Sequence, residues 1–344
     1  MTVRTVDGCI KCGACLQACP VLRHEGRAAF PGPRRLVVEA PRYGPGIGTL
    51  DGPLALCTTC GRCQQVCPSA LPLPDALVRV RSMAPARRSP GLTRMAENID
   101  RTGRTVQGGP ASDRPSRGDL AFFPGCISEA RLPEAVSASL ALLRASGARP
   151  YIPGGWACCG SPLEKVGDTE RSEKVRAINS EWLEEVSTVV ASCPGCVVQL
   201  QRAYGKDALH VLEYVHSRGN LSSSMFEPHA PALRVALHRP CHLSRVVGPH
   251  TMEMARELLA LVPGVTVVEH DGEDECCGGG GGVASSRPEV AARMAARKVA
   301  AARRSGADLL LAPCPFCVTN LGRVGGIAVQ ELVAFVAGRL RPRQ

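Results

Sequence analysis

The stretches Ala157-Cys158-Cys159-Gly160 and Glu275-Cys276-Cys277-Gly278 decide how the larger part of this chain is organised. Each adjacent pair stands between one upstream cysteine and a downstream Cys-x-x-Cys pair. The two sets are Cys126, Cys158, Cys159, Cys193 and Cys196, and Cys241, Cys276, Cys277, Cys314 and Cys317. The offset between the sets changes only from 115 residues (126 to 241) to 121 residues (193 to 314), which indicates an internal repeat.

Short apolar runs alternate with longer helical patterns through both copies of this repeat. Strand candidates open the copies at 120–123 and 235–237, and others precede the Cys-x-x-Cys pairs at 188–191 and 308–311. Helical patterns lie between them, at 133–147, 173–186, 251–264 and 289–304. This alternation predicts two α/β lobes with mainly parallel sheets. The cysteines would then lie in strand-to-helix loops, where such sheets place their sites.

Each copy brings five cysteines to one site, and adjacent cysteines cannot easily both bind one corner of a cubane. The pairs therefore predict an unusual cluster with bridging thiolates. We expect Gly160 and the run 278–282 to let the backbone pass close to a bulky inorganic core. A phosphate-binding loop is the competing interpretation of that glycine run, but no Lys-Ser/Thr follows it.

Two further cysteine runs lie near the N-terminus, each with the spacing Cys-x2-Cys-x2-Cys-x3-Cys-Pro. They are Cys9, Cys12, Cys15 and Cys19, and Cys57, Cys60, Cys63 and Cys67. Three thiolates of one tight loop can face three corners of a cubane [4Fe–4S] cluster, while in two-cluster ferredoxins the fourth binds the other cluster. We expect one cubane at Cys9, Cys12, Cys15 and Cys67, and another at Cys57, Cys60, Cys63 and Cys19. Zinc is the disfavoured alternative, because its sites usually show two separated pairs.

Composition excludes several other classes of protein. The chain has 344 residues, 18 of them cysteine, and its 44% hydrophobic content excludes disorder. No signal-peptide pattern or transmembrane-length apolar run is visible, so a secreted disulfide framework is disfavoured. The net charge of +10 first indicates an anionic partner. Eighteen thiolates and four inorganic cores would bring it to about zero, and without a nucleic-acid motif no nucleic-acid partner is expected.

A Gly/Pro/Ser-rich basic stretch divides the chain. We expect a mostly helical two-cluster ferredoxin domain at 1–103, a linker at 104–118 and two repeated α/β lobes at 119–230 and 231–344. The fold class is therefore mixed, α+β with α/β lobes.

The repeated motif resembles the cysteine-rich domains of heterodisulfide reductase. The resemblance is carried by Pro124-Gly125-Cys126, by the two Cys-Cys-Gly segments, by Pro240-Cys241-His242-Leu243, and by the Cys-x-x-Cys pairs at 193–196 and 314–317. With both N-terminal runs in front, the chain resembles the D-type subunit, which is equivalent to a fusion of the C-type and B-type subunits. The 37 residues between Cys19 and Cys57 also resemble helical ferredoxin domains of multi-subunit oxidoreductases.

The resemblance implies that all ten repeat cysteines are catalytic and hold two noncubane [4Fe–4S] clusters. The mixed disulfide of coenzyme M and coenzyme B (CoM-S-S-CoB) would lie between these clusters. Two cubanes would carry electrons to them from a flavin-containing subunit or a membrane cytochrome b. The implied location is cytoplasmic, with attachment at the membrane through a partner as the alternative.

Other activities stay open within the same family. The chain could serve as the iron–sulfur electron-transfer subunit of a thiol:fumarate reductase. It could also serve in a quinone-linked dehydrogenase of glycolate, lactate or glycerol 3-phosphate. Both five-cysteine sets are complete, which favours the disulfide-reducing branch.

His242 is a candidate proton donor, and His238, Lys165 and Arg239 are candidates for holding anionic coenzyme groups.

Overall fold

The structure is a computed structural model, and it describes residues 6–40, 51–83, 89–108, 114–228 and 231–342. The described residues before position 120 form helices and no strand. These helices are α1 (Ala14–Gln17), α2 (Pro20–Ala29), α3 (Asp51–Ala55), α4 (Arg62–Gln65), α5 (Leu73–Met83) and α6 (Pro90–Thr102), with a π-helix at Arg35–Glu39 and a 3-10 turn at Val6–Gly8. This is the helical N-terminal part that the sequence predicts.

A first α/β unit follows. Its elements are β1 (Leu120–Phe123), α7 (Cys126–Arg131), α8 (Pro133–Ala145), β2 (Pro150–Tyr151), α9 (Ser161–Val166), α10 (Thr169–Leu183), β3 (Thr188–Ala191), α11 (Pro194–Tyr204), β4 (Asp207–His210) and α12 (Val211–Arg218). The apolar run of β1 is buried along its whole length, as a strand covered on both faces by helices must be.

A second unit repeats this order after a 3-10 turn at Ser223–Met225. Its elements are β5 (Leu233–Leu237), a π-helix (Leu243–Val247), α13 (His250–Ala260), β6 (Val265–Val268), α14 (Val283–Ser286), α15 (Pro288–Arg304), β7 (Leu309–Ala312), α16 (Pro315–Gly322), β8 (Ala328–Glu331) and α17 (Leu332–Ala337). The expected parallel sheets are therefore present in both copies of the repeat.

Both sheets have the same strand order, β2-β1-β3-β4 and β6-β5-β7-β8, and all their pairings are parallel. The order reverses at β1 and at β5, which creates a switch point beside each of these strands. Loops after the carboxyl ends of strands open into a crevice at such a point. The cysteines follow β1, β2 and β3 in one unit and β5, β6 and β7 in the other, so the topology gathers each set at one crevice.

Helices of each unit pack on helices of the other unit. The last helix of the second unit, α17, packs on α8 of the first, and the last helix of the first unit, α12, packs on α13 of the second. In the same way, α11 of the first unit packs on the π-helix Leu243–Val247 of the second, and α16 of the second unit packs on α7 of the first. Because each Cys-x-x-Cys helix contacts the segment after the first cysteine of the other unit, the two crevices lie side by side.

The N-terminal helices join both units. The side chains of Leu92, Met95 and Ile99 on α6 share a core with the first unit. Val290 and Met294 on α15 share a core with the cysteine-bearing N-terminal segments. In the part of the predicted linker that the structure describes, Thr105 is buried and the amide of Ile152 donates to the carbonyl of Pro115 at 2.8 Å, while residues 116–118 are exposed. The linker and the domain boundaries stay a prediction.

Four of the described strands, β2, β4, β6 and β8, are not predicted by the sequence analysis. They have two to four residues. β8 is buried only at Glu331, whereas β6 reads Val-Thr-Val-Val and carries a strand signal that the sequence analysis missed. Hydrogen bonds to a neighbouring strand hold them. Among the described helices, none is both long and apolar enough to cross a membrane.

Candidate metal centres

The first N-terminal site is a cavity beside α1. Cys9, Cys12, Cys15 and Cys67 line it together, with the apolar side chains of Leu71 and Leu73. Gly13, with φ of 83°, turns the chain between Cys12 and α1. Cys12 is exposed, and its neighbour Ile10 is 67% exposed, so this site opens to the surface. The grouping is the one that the crossed cubane pattern predicts.

The second N-terminal site joins Cys57, Cys60 and Cys63 with Cys19 from the first run. The thiol of Cys19 lies within electrostatic range of Cys57 and Cys60, and that of Cys63 within range of all three others. Burial raises the pKa of Cys19 to about 12, and burial with neighbouring thiols raises the pKa of Cys63 further. The fourth cysteine of each run therefore lies with the other run.

All five cysteines of the first repeat set are buried. The thiol of Cys158 interacts with those of Cys126 and Cys159, and the thiol of Cys196 interacts with those of Cys159 and Cys193. The interactions with Cys158 and then Cys196 hold the pKa of Cys159 well below its usual value. The second cysteine of the adjacent pair is thus the centre of the set, as a bridging thiolate would be.

The second repeat set has the same arrangement. Cys276 contacts Cys241 and Cys277, while Cys317 contacts Cys277 and Cys314. Contacts with Cys276 and Cys317 hold the pKa of Cys277 well below its usual value. Both repeat copies therefore converge on the second cysteine of their adjacent pair.

Backbone amides surround these sulfurs. The amides of Gly278 and Gly279 donate to the sulfurs of Cys276 and Cys277 at 3.4 and 3.5 Å. Cys193 and Cys314 occupy the N-cap positions of α11 and α16, where the free amides and the helix dipole favour negative charge. Both features stabilise thiolates over thiols.

The glycine run after the second pair also packs against protein. A Cβ on Gly281 would lie 2.2 Å from the carbonyl oxygen of Cys57, and one on Gly280 would lie 2.7 Å from that of Thr58. Gly160, in the first unit, faces Ser172 and Val175. Gly280 and Gly281 have no room for side chains because they lie against the backbone of the Cys57 loop, and the approach of the run to a cluster stays a prediction.

That packing joins the second N-terminal site to the second repeat site. The thiol of Cys276 donates to the hydroxyl of Thr58 at 3.4 Å. It also lies within interaction range of the thiol of Cys60. Cysteines of two candidate metal sites are therefore neighbours.

Lys165 and His242 lie between the two repeat sites. The ammonium nitrogen of Lys165 is 2.8 Å from Nε2 of His242, and burial lowers the pKa of both groups. Lys165 is within electrostatic range of Cys159 and Cys193 of one set and Cys241 of the other. The structure thus brings two of the candidate polar residues together at a position that both cysteine sets face.

His238 and Arg239 lie elsewhere. A ring nitrogen of His238 is within 4.8 Å of the sulfurs of Cys277 and Cys317, and neither ring nitrogen has a hydrogen-bond partner in the described region. Burial lowers the pKa of His238 to about 4. Nε of Arg239 is buried and also lacks a hydrogen-bond partner there. His238 therefore lies against the second cysteine set, and its part in holding a coenzyme stays a prediction.

Several basic residues beside the thiols were missed by the sequence analysis. Arg104, assigned to the linker, stacks on Trp156 at 3.3 Å and pairs with Glu129 beside Cys126 and Cys158. Lys298 is buried within range of Cys277 and Cys317. Arg81 is buried beside Cys57. All lie on helices or loops without a local motif, so only the tertiary structure reveals their position.

The chemistry of these groups fits iron–sulfur clusters. All 18 cysteines are free, and every one lies in a group of four or five thiols. Crowding and burial raise the pKa of Cys19 and Cys63, so these thiols need nearby cations to lose their protons. Iron supplies that charge and binds the deprotonated sulfur.

Comparisons with known proteins agree with this chemistry. Residues 120–201 and 235–322 match the CCG cysteine-rich domain, and residues 5–71 match the 4Fe-4S dicluster domain. The chain is 32% identical to the B subunit of fumarate reductase (CoM/CoB) from Methanothermobacter marburgensis, covering 92% of this chain and 68% of that one. It is 26% identical to the D subunit of dihydromethanophenazine:CoB–CoM heterodisulfide reductase from Methanosarcina barkeri, covering 97% and 94%.

A solved structure of a hypothetical protein from Helicobacter pylori shares the fold, with a TM-score of 0.56 at 9% identity. The match covers 93% of this chain and 70% of that chain.

The fold and its cysteine sites define an electron-transfer iron–sulfur protein that is related to subunits of oxidoreductase complexes. The chain belongs to the family of CCG-domain iron–sulfur proteins that includes the D subunit of heterodisulfide reductase and the B subunit of the CoM/CoB fumarate reductase.

Proposed function

We propose that this chain is the disulfide-reducing iron–sulfur subunit of a heterodisulfide reductase-type complex. The observation that carries the proposal is the pair of complete five-cysteine sites that face Lys165 and His242 from two sides. A relative that spans nearly the whole chain is named for heterodisulfide reduction. The substrate class is a disulfide, of which CoM-S-S-CoB is the representative.

Four clusters are proposed, two cubane [4Fe–4S] clusters at the N-terminal sites and two noncubane [4Fe–4S] clusters at the repeat sites. Such clusters supply one-electron oxidation and reduction, and two adjacent sites match the two electrons that a disulfide takes up. With two electrons and two protons, the S–S bond breaks and two thiols form.

The protein orders these sites in space. The site with exposed Cys12 and Ile10 is the one that a donor protein can approach. The contact between Cys60 and Cys276 joins the second N-terminal site to the second repeat site. Electrons would therefore reach the second unit before the first.

Lys165 and His242 would act on the substrate between the repeat sites. Both are half-buried, and both would offer N–H groups to a sulfur of the substrate. The ammonium group of Lys165 would hold a proton beside the thiolate that S–S cleavage leaves, and would attract an anionic group of the substrate.

The relatives are subunits of complexes, so protein partners are expected for this chain too. We propose that a flavin-containing subunit or a membrane cytochrome b delivers the electrons at the Cys12 face.

A thiol:fumarate reductase subunit is the second candidate. The 32% identity to the B subunit of fumarate reductase (CoM/CoB) favours it. The same two sites would then oxidise two thiols to a disulfide and pass the electrons outward. Service in a glycolate-type dehydrogenase has weaker support, from 22% identity to the probable glycolate oxidase iron-sulfur subunit of Bacillus subtilis.

The test is an anaerobic assay on the isolated complex, with its iron content measured. Reduced methyl viologen and CoM-S-S-CoB should react, with two viologens oxidised per disulfide, in protein that holds about 16 Fe per chain. Thiol-dependent fumarate reduction in the reverse assay would support the second candidate. Lack of disulfide turnover by the iron-replete complex would contradict the first.

A further inference from the structure

The side chain of Arg81 lies where three parts of the protein meet. Arg81 is near the end of α5, and only 4% of it is exposed. Its guanidinium contacts the Cys57 loop, the end of α9 and the glycine run of the second unit. It therefore touches the segments that follow both adjacent cysteine pairs, together with a loop of N-terminal cysteines.

Every N–H of this guanidinium is used on a backbone carbonyl. Nη1 donates to Lys165 at 2.7 Å and to Gly281 at 3.0 Å. Nη2 donates to Cys57 at 2.8 Å and to Leu54, and Nε donates to Leu54 at 3.0 Å. Five hydrogen bonds exhaust the five donors of arginine, whereas a lysine has three. Only a planar fork can hold these four carbonyls at once.

The positive charge of Arg81 has no carboxylate beside it. None of the ion pairs among the described residues includes it, and the titratable group within electrostatic range is Cys57, which would become a thiolate on binding a metal. A guanidinium keeps its proton even when buried, so the charge persists. A buried charge is costly unless an opposite charge faces it. The thiolates around Cys57, with the electrons they share, are the only candidates for that role in the described region.

We propose that Arg81 is a positioning residue that holds the Cys57 loop against both repeat units and stabilises the reduced state of the site at Cys57, Cys60, Cys63 and Cys19. This rests on the proposed binding of a cluster by those four cysteines. Reduction adds one negative charge near a fixed positive charge, so Arg81 raises the reduction potential of this site. Its carbonyl contacts keep Cys60 against Cys276, where electrons leave.

The tight packing around Arg81 supports this role. A Cβ on Gly167 would lie 2.7 Å from the carbonyl carbon and oxygen of Arg81, and Gly281 presses on Cys57 in the same way. The backbone segments that the guanidinium joins therefore lie in close contact with one another.

The test compares the full chain with its clusters in wild type, Arg81→Met, Arg81→Lys and the control Arg79→Met. Arg79 is exposed on the same helix, so its loss should change neither readout. A redox titration followed by electron paramagnetic resonance (EPR) gives the potential of the Cys57 site, assigned by the signal lost in Cys63→Ala. Arg81→Met should lower the equilibrium constant for reduction about tenfold, or about 59 mV for one electron.

Arg81→Lys keeps the charge and should keep the potential, but with three donors it should slow the reoxidation of this site by disulfide after rapid mixing. An unchanged potential in iron-replete Arg81→Met, or a wild-type reoxidation rate in Arg81→Lys, would overturn the proposal. If Arg81→Met takes up no iron, Arg81→Gln replaces it and the same criteria apply. Absence of cluster signals in wild type would instead contradict the proposed function.

Discussion

The thiol of Cys60, in the helical N-terminal part, lies within interaction range of the thiol of Cys276, in the second repeat unit. No equivalent contact joins the described N-terminal cysteines to the first unit. The two repeat copies, although alike in fold, therefore differ in their connection to the N-terminal sites. This asymmetry, with the groups that surround each site, has measurable consequences.

Gly281→Ala should weaken the contact between the N-terminal part and the second unit. Gly281 has φ of 61°, and a Cβ there would meet the carbonyl oxygen of Cys57. The backbone strain costs about 1 kcal/mol, and the overlap adds about 1–3 kcal/mol. Gly205→Ala is the matched control, since its φ is 64° and no atom lies within 4 Å of its Cβ. Thermal unfolding should show a larger loss for Gly281→Ala, and equal losses would refute the contact.

Lys165→Met should reduce disulfide turnover about 100-fold without loss of iron, because a positioned proton donor contributes roughly 10²–10⁴ in rate. Lys165→Arg, which keeps the charge, should affect kcat more than KM. Lys174→Met is the control, since Lys174 pairs with Glu170 at the exposed surface of α10. Steady-state kinetics and iron analysis check this. Wild-type turnover in iron-replete Lys165→Met would show that Lys165 has no part in the reaction.

His238→Phe should change the second repeat site alone. Phe123 stands three residues before Cys126, as His238 stands three before Cys241, so this variant gives the second site the residue of the first. Removing a polar ring beside Cys277 should change the equilibrium constant for reduction of that site roughly tenfold, which corresponds to about 59 mV in its potential. EPR-monitored titration measures the shift.

His210→Asn is the control for that experiment. His210 is buried in the first unit, where its ring bonds to the carbonyl of Ser192 and accepts from the amide of Leu212. A signal that moves equally in both variants would assign the effect to general perturbation of the fold.

Glu331→Gln should make stability less dependent on pH. Burial raises the pKa of Glu331 from 4.5 to about 8. The folded state therefore holds a proton that the unfolded chain loses near pH 4.5, so stability is greatest below pH 4.5 and falls as pH rises to about 8. The slope is at most about 1.4 kcal/mol per pH unit.

Glutamine keeps an oxygen for the amide of Ala334, which now donates to Glu331 at 2.8 Å. The melting temperature of Glu331→Gln should fall less than that of wild type between pH 5 and pH 8. Parallel pH curves for the two proteins would contradict a protonated Glu331.

The sequence predicts much of this structure because its signals are local. The spacing around Cys158 and Cys276 marks the repeat, and the four main strand candidates agree with the structure within two residues. The crossed grouping of Cys19 and Cys67 also appears in the structure. The strand candidates depend on residues close together in the chain, and the cysteine groupings follow from repeated spacings that the sequence displays directly.

What the sequence could not show depends on distant contacts. The packing of α12 and α17 on the other unit cannot be predicted from the sequence of either helix alone. Arg81 lies in an ordinary amphipathic pattern, and its carbonyl partners are up to 200 residues away. The contact of Gly280 and Gly281 with the Cys57 loop could not be predicted from the sequence, because the two segments lie in different predicted domains.

The central claim is that both five-cysteine sites act together on one disulfide. The direct measurement is viologen-driven CoM-S-S-CoB reduction by wild type, Cys159→Ala and Cys277→Ala, each with its iron content. Each variant should lose about 4 Fe per chain, keep the N-terminal cluster signals and lose nearly all turnover. Wild-type turnover in either variant, with the iron of that site missing, would contradict the account.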